Sequence, residues 1–263
     1  MELTIRVGIG GWVYAPWRNN FYPHGLVHRR ELEYASRHVT AIEINGTWYG
    51  AQKPPTYARW RDESPDGFVF SAKAPQRITM SRTLAKTGGA IDDFLGGIAT
   101  LGAKLGPIVW QFERKIDRDE FIAFLALLPK QVAGLKLRHV LDVRDAAFVD
   151  ANYLALALQH GMATVFTDST EHPSFGDITA DFVYARLMRT RADVATGYPD
   201  DELDVWAGRM RAWARGGDPV DLPHIASPQV DNSERDVFVY LISSAKERNP
   251  SAAMALLNKL GAS

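Results

Sequence analysis

The chain alternates short, almost wholly apolar runs with stretches in which apolar residues recur every three to four positions. The first kind reads as buried strand and the second as amphipathic helix. Strands are predicted at Ile5–Gly10, Ala41–Tyr49, Phe68–Lys73, Pro107–Phe112, His139–Arg144, Ala163–Asp168, Phe182–Leu187 and Val237–Ile242. Helices are predicted near Arg29–Arg37, from Pro54 towards Arg61, over Ile91–Leu101, Glu120–Leu128 and Asp200–Ala214, and from Asp150 to Gly161 and Asn249 to Gly261. Their boundaries carry the usual chemistry: Asp117 with Glu120 resembles a capping box, Asp150 is an N-cap, and Gly161 and Gly261 are closing glycines. Ser169–Ala180 has no helical period, so the sixth helix is expected to be degenerate.

Eight strands, each short and apolar and nearly all followed by a helix, predict an α/β fold with a parallel sheet. Eight such units over 263 residues fit a single TIM-type (β/α)8 barrel spanning residues 1–263, and no break in composition marks a second domain.

The second strand breaks the apolar rule. Ile42 and Ile44 fall on one face, and Glu43 and Asn45 on the other. A charge near the end of a buried strand needs a partner or a task. The same oddity recurs: keeping one parity at each strand's carboxyl end collects Glu43 and Asn45, Ser71 and Lys73, Gln111, Asp142 and Arg144, Asp168, and Tyr184 and Arg186. The opposite parity is mostly apolar, as at Ile42, Val143, Val183 and Leu187, which suits packing against outer helices. In a barrel of this kind the carboxyl ends of the strands carry the chemistry. Three acids face three bases in the set, so it reads either as a ligand pocket or as an ion-pair network closing the barrel, and the residues do not decide between catalysis and binding.

Composition removes several alternatives. Hydrophobic residues make up 46% and charged residues 23%, which argues against disorder. A net charge of -1 supplies no general attraction for nucleic acid or membrane. The absence of cysteine excludes disulfides and thiolate chemistry. No apolar run reaches the roughly 18 residues that would span a bilayer, and the amino terminus MELTIRVGIGGW does not look like a signal peptide, so a cytoplasmic protein with no membrane partner is expected.

The strings GIGGWVYAPW, FYP, AIEINGTWY, FVFSAKAPQRIT, KLGPIVWQF, VLDVRDAAF and FVYARL, in this order, resemble the YecE-like family, also called domain of unknown function 72. The resemblance runs over nearly the whole chain and implies a TIM-type barrel, with no established reaction. It implies that Trp12, Tyr14, Glu43, Asn45, Tyr49, Lys73, Gln111, Arg144, Asp168, Tyr184 and Arg186 stand at positions the family favours. The chain departs at Asp142, where the family usually has glutamate, at Met188, where histidine is frequent, and at Leu241-Ile242-Ser243-Ser244, where phenylalanine and asparagine or aspartate cluster.

The expectation is therefore a pocket for a small phosphate- or carboxylate-bearing ligand, with no cofactor. Glu43 and Asp168 are the acid/base candidates, Lys73, Arg144 and Arg186 the anion contacts, Asn45, Gln111 and Tyr184 the orienting groups, and Trp12, Tyr14, Tyr49 and Asp142 the remaining wall. The alternative is a nucleic-acid-binding or nuclease-like face built from Arg77, Arg82, Lys86, Arg189, Arg191, Lys246 and Arg248 with Trp12, Tyr14, Trp48 and Tyr49 as stacking surface. No metal site is expected, because only His172 of the seven histidines falls near a strand's carboxyl end. Tyr57, Trp60, Trp206 and Trp213 have helical spacing and are expected in the core, and Gly8-Ile9-Gly10-Gly11 is a tight turn rather than a dinucleotide fingerprint.

Overall fold

The computed structural model describes residues 5–228 and 233–261. Eight parallel strands close into one barrel: β1 Ile5–Gly10, β2 Ala41–Ile44, β3 Val69–Lys73, β4 Leu105–Phe112, β5 His139–Val143, β6 Ala163–Asp168, β7 Phe182–Leu187 and β8 Asp236–Leu241. Each strand pairs with its neighbours in sequence, and β8 closes on β1 with Gly8 opposite Tyr240. The outer layer contains α1 Glu31–Ala35, α2 Pro54–Glu63, α3 Gly88–Ile98, α4 Arg118–Leu127, α5 Ala151–His160, α6 Asp200–Ala214 and α7 Asn249–Leu260. Residues 169–181 join β6 to β7 without a helix, so the sixth unit is degenerate as expected.

The strands are buried on both faces, and the two faces belong to separate cores. Inside, Val109, Val140, Val165, Phe182, Tyr184 and Tyr240 fill the barrel. Outside, Ile42, Phe70, Trp110, Leu141 and Leu187 meet the helices together with Tyr57, Trp60, Trp206 and Trp213, which are all buried as expected. Each large apolar side chain placed there contributes about 1.5–3 kcal/mol, the ordinary worth of a buried Leu or Phe. The interior stays filled because small residues face large ones. A Cβ on Gly8 would lie 2.2 Å from the Ala41 carbonyl oxygen and 3.0 Å from the Tyr240 ring, so only glycine fits there.

Local chemistry sets the boundaries. The Asp117 carboxylate accepts from the backbone N–H of Asp119 and Glu120, at 3.0 and 3.1 Å. Glu120 does not close the box; its side chain accepts instead from the Ala85 N–H at 3.2 Å. Asp150 caps α5 through the Tyr153 N–H at 2.9 Å, and Gly161 ends that helix in the left-handed region at φ 62°. The helix expected over Ile91–Leu101 begins earlier, at Gly88, and gives way after Ile98 to a 3-10 segment kinked at Gly102, φ 59°. Asn249 enters α7 after the cap residue Arg248, and its side chain instead accepts from the Thr190 hydroxyl at 2.9 Å, tying the loops after β7 and β8 together. A hairpin of Gln131–Val132 with Leu135–Lys136 lies before β5 and has no counterpart in the apolar pattern. Among the described residues no helix is long and apolar enough to cross a membrane.

Candidate functional site

The carboxyl ends of β2, β4, β5 and β7 meet around one guanidinium. Arg186, 2% exposed, donates from Nε and Nη2 to the two oxygens of Glu43, each at 2.9 Å. Its Nη1 donates to Gln111 Oε1 at 2.9 Å and to Asp142 Oδ2 at 2.5 Å. Four of its five N–H groups are thus engaged by protein acceptors. Glu43 accepts a third hydrogen bond from the Tyr184 hydroxyl at 2.5 Å, and beneath it Tyr184 packs on Tyr240, whose hydroxyl shares a 2.6 Å hydrogen bond with Ser71. Burial works against the Arg186 charge, but Glu43 and Asp142 outweigh it and hold the guanidinium pKa above its ordinary value. Burial and then the adjacent Glu43 raise the Tyr184 phenol far above its usual range, so it remains a donor. This is the floor of the site.

Above the floor opens a pocket of about 300 Å³ lined by Glu43, Asn45, Trp48, Tyr49, Lys73, Gln111, Glu113, Arg144, Arg186, Met188, Ser243 and Lys246, among others. Lys73 Nζ stands 4.0 Å from the centroid of the Trp48 ring. Burial and then the charge of Arg186 push its pKa down to about 8, with Glu43, Glu113 and Asp142 opposing. Arg144 Nη1 lies 3.0 Å from His172 Nε2, while Arg144 Nε is buried without a hydrogen-bond partner, 3.6 Å from Asp142 Oδ2. Burial and then Arg144 lower the His172 pKa, so its neutral ring accepts from the guanidinium. Lys246 Nζ lies 4.6 Å from the Tyr14 ring centroid, and burial lowers its pKa. Glu113 accepts from the Gln111 side-chain amide and sits 3.9 Å from Arg144 Nη1. Including Asp142 below, four cations face three carboxylates. The backbone at the rim is unusual: Ser243 and Ser244 both lie in the left-handed region, at φ 62° and 50°.

The structure brings together Glu43, Asn45, Tyr49, Lys73, Gln111, Arg144 and Arg186 around the pocket, with Asp142 and Tyr184 directly beneath. Asp168 is a correction. Thr167, not Asp168, pairs with Arg186 and shares its face, so Asp168 turns outward with Phe166. It lines a separate cleft of about 570 Å³ with Tyr198, Arg189, Trp206 and Arg209, where Arg189 is 3.6 Å away. Burial raises its pKa, with Arg189 opposing. Trp12 and Tyr14 also stand outside the pocket. Trp12 packs edge-on against Trp60 and Phe70 of the outer layer, and Tyr14 packs on Trp17 and reaches the site only through Lys246. Arg186 is anchored by the carboxylates of the floor, whereas Lys73, Arg144 and Lys246 have no carboxylate hydrogen-bonded to them.

Glu113 and Met188 line the pocket from just beyond the strand ends. Both continue the inward parity two residues past Gln111 and Arg186, so counting beyond the strand ends would have reached them. Trp48 and Lys246 come from the loops after β2 and β8 and Asn249 from the start of α7, where strand parity has no bearing. Among the described residues no group of three or more His, Asp or Glu side chains is arranged to hold a metal ion.

A closed parallel barrel with a charged crown at the carboxyl ends of its strands defines the class: a TIM-type barrel protein with a ligand-sized pocket. The chain belongs to the family described as Protein of unknown function DUF72, whose profile matches residues 6–263. It is 28% identical over 139 residues to the UPF0759 protein YecE of Escherichia coli K12, a match covering 51% of this chain and 48% of that protein. It is also 28% identical over 75 residues to the UPF0759 protein YunF of Bacillus subtilis, covering 28% and 26%. In these alignments the chain spans about half or less of the relatives' length. Among solved structures, a DUF72 family protein from Thermotoga maritima superposes with a TM-score of 0.75 at 18% identity, covering 98% and 99% of the two chains. One from Enterococcus faecalis gives 0.72 at 16% identity, covering 99% and 96%, and SacUVDE gives 0.54 at 14%, covering 98% and 99%. At these identities the likeness concerns the fold.

Proposed function

We propose that the pocket binds a small molecule bearing a phosphate or a carboxylate. The observation that carries this reading is the unequal pairing of the cations. Arg186 is held by Glu43, Asp142 and Gln111, whereas Lys73, Arg144 and Lys246 converge on the same 300 Å³ space with no carboxylate hydrogen-bonded to them. A partly desolvated cation with no counter-charge hydrogen-bonded to it is costly, and an anionic ligand would supply that charge to all three together. The planar fork of Arg144 suits a phosphate or carboxylate, and the two ammonium groups add point charges. Asn45 and Gln111 orient the remainder of the ligand. Glu113, with its side chain 41% exposed at the wall, is the carboxylate with access to a bound molecule; both Glu43 oxygens already accept hydrogen bonds.

Several rim cations that would suit nucleic acid are engaged within the protein. Arg189 faces Asp168, Arg191 pairs with Glu202 at 2.8 Å, and Arg248 Nε donates to the Ala192 carbonyl at 3.0 Å.

The test is a thermal-shift screen of wild type, Arg144→Met and Lys246→Met against inorganic phosphate, sugar phosphates, small carboxylates and short single-stranded DNA. A ligand present at 100 times its Kd adds about 2.7 kcal/mol of apparent stability, a rise of several degrees in a chain of this size. The expected result is a small-anion shift that shrinks in both variants. A shift undiminished by either substitution, or one seen only with DNA and falling steeply with salt, would replace this reading.

A further inference from the structure

Lys73 differs from lysines whose ammonium groups are paired within the protein. Lys104 satisfies its ammonium with the Arg61 and Ser64 carbonyls, both at 2.6 Å, and the Ser64 hydroxyl at 3.2 Å. Lys136 and Lys259 pair with aspartates, at 2.8 Å to Asp181 and 2.7 Å to Asp204. Lys73 has no such acceptor; its ammonium rests on the Trp48 ring and faces the pocket. Its main chain is fixed, because β3 holds it and the Thr47 hydroxyl donates to its carbonyl at 2.6 Å. A long side chain on a rigid stem, without a hydrogen-bond acceptor and aimed into a cavity, is arranged to react rather than to brace.

We propose that Lys73 is a nucleophile that forms an imine with an aldehyde or ketone, so that the ligand class of the pocket is a small carbonyl compound bearing a phosphate or carboxylate. This rests on the anion-binding reading above, with Arg144 and Lys246 holding the anionic end while the carbonyl carbon reaches Lys73 Nζ. The neutral amine's lone pair forms the C–N bond and the carbonyl π pair moves to oxygen, which takes a proton. The attacking nitrogen gives up one of its two protons, so that its restored lone pair can close the C=N bond as the carbinolamine hydroxyl takes a proton and leaves as water. The iminium nitrogen then releases its last proton. Amine plus carbonyl thus yields imine plus one water, with no oxidant or reductant. Glu113, on the same wall, is placed to exchange these protons.

The charges facing Lys73 come from Arg186, which disfavours its protonation, and from Glu43, Glu113 and Asp142, which favour it; burial and Arg186 prevail. With the pKa at about 8 rather than 10.5, the neutral fraction at pH 7 is roughly 300-fold that of an ordinary lysine. Lys246 shares the pocket but stands at the rim on the loop after β8.

The experiment treats the full-length protein with limiting pyridoxal 5′-phosphate, which carries both an aldehyde and a phosphate, traps imines with borohydride, and maps adducts by peptide mass. Wild type, Lys73→Arg and Lys73→Met are compared, with folding checked by circular dichroism, and the phosphate thermal shift is measured on the same samples. The expected result is labelling at Lys73 at least about tenfold faster than at Lys104 or Lys246, slowed by inorganic phosphate and by lowering the pH through 8, and absent from both variants. Labelling led by Lys246, or spread evenly over the surface lysines, overturns the proposal. If the phosphate shift persists in wild type while Lys73 stays unlabelled, the imine falls and the anion site stands. Loss of both removes the two readings together.

Discussion

Arg186 and Glu43 form a side-on, two-point ion pair across the barrel from β7 to β2, with Nε and Nη2 each 2.9 Å from a carboxylate oxygen and both residues almost fully buried. Such a pair repays its desolvation only when the remaining donors and acceptors are also satisfied, as Tyr184, Gln111 and Asp142 do here. Arg186→Ala would leave two buried carboxylates facing each other across a void. The expected loss is about 3–5 kcal/mol of unfolding free energy, as for other broken buried pairs, read from urea denaturation. Arg186→Lys should recover only part of it, because one ammonium cannot replace the planar fork that meets Glu43, Gln111 and Asp142 together. A loss below about 1 kcal/mol, the worth of a surface pair, would show that the cluster does not hold the barrel top.

Lys73 should leave a signature in the pH dependence of stability. Its pKa lies at about 8 in the folded protein and near 10.5 unfolded, so between these values the unfolded chain binds more protons and stability rises with pH. Below about pH 8 both states hold the proton, and the buried charge carries its full cost. Comparison of wild type with Lys73→Met cancels the tyrosines that titrate in the same range. The variant is expected to be more stable at pH 7 by on the order of 1–3 kcal/mol, with the gap closing as pH rises from 8 to 10.5. A gap that stays constant over that window, in paired denaturation curves, contradicts the depressed lysine.

The strand ends Glu43, Lys73, Gln111, Asp142 and Arg186 were legible because a charge inside an apolar run has few explanations other than an inward-facing site. Asp168 misled for a physical reason. β6 reads Ala-Thr-Val-Phe-Thr-Asp, and with both faces of a parallel strand buried, neither parity stands out as the inner one. Only the register with β7, Thr167 opposite Arg186, settles the face. The engagement of Arg186 was hidden too, since a sequence shows which residues reach one end of the barrel but not which of them neutralise each other. Lys246 and Trp48 reach the pocket from loops, whose path follows no two-residue period.

Gly8 tests the barrel interior. Its Cβ position falls 2.2 Å from the Ala41 carbonyl oxygen, a backbone atom that cannot move aside without opening the β1–β2 seam. Gly8→Ala is therefore expected to destabilise by about 1–3 kcal/mol, the usual cost of overpacking, although alanine elsewhere in a strand is ordinarily the better residue. Gly46, with open space at its Cβ position, is the control and should tolerate alanine within about 0.5 kcal/mol. Equal tolerance at both positions in thermal denaturation would mean that β1 and β2 do not approach as described.

Asp168 belongs to a cavity other than the pocket around Lys73. It lines the outer cleft with Tyr198 and Arg189, and Thr167 takes the inward place beside Arg186. Asp168→Asn should therefore leave the phosphate-induced thermal shift unchanged, while Arg144→Met reduces it. The same variant should be more stable than wild type at neutral pH. Burial raises the Asp168 pKa above its ordinary value, so between the unfolded and the folded pKa the native state binds the extra proton, and wild-type stability falls as pH rises through that interval. The amide carries no such penalty, so its advantage should shrink as pH is lowered to the ordinary aspartate range and below. If Asp168→Asn instead abolishes the phosphate shift with its stability intact, the division into an inner pocket and an outer cleft is wrong, and the acid would have to act on the ligand through the barrel wall.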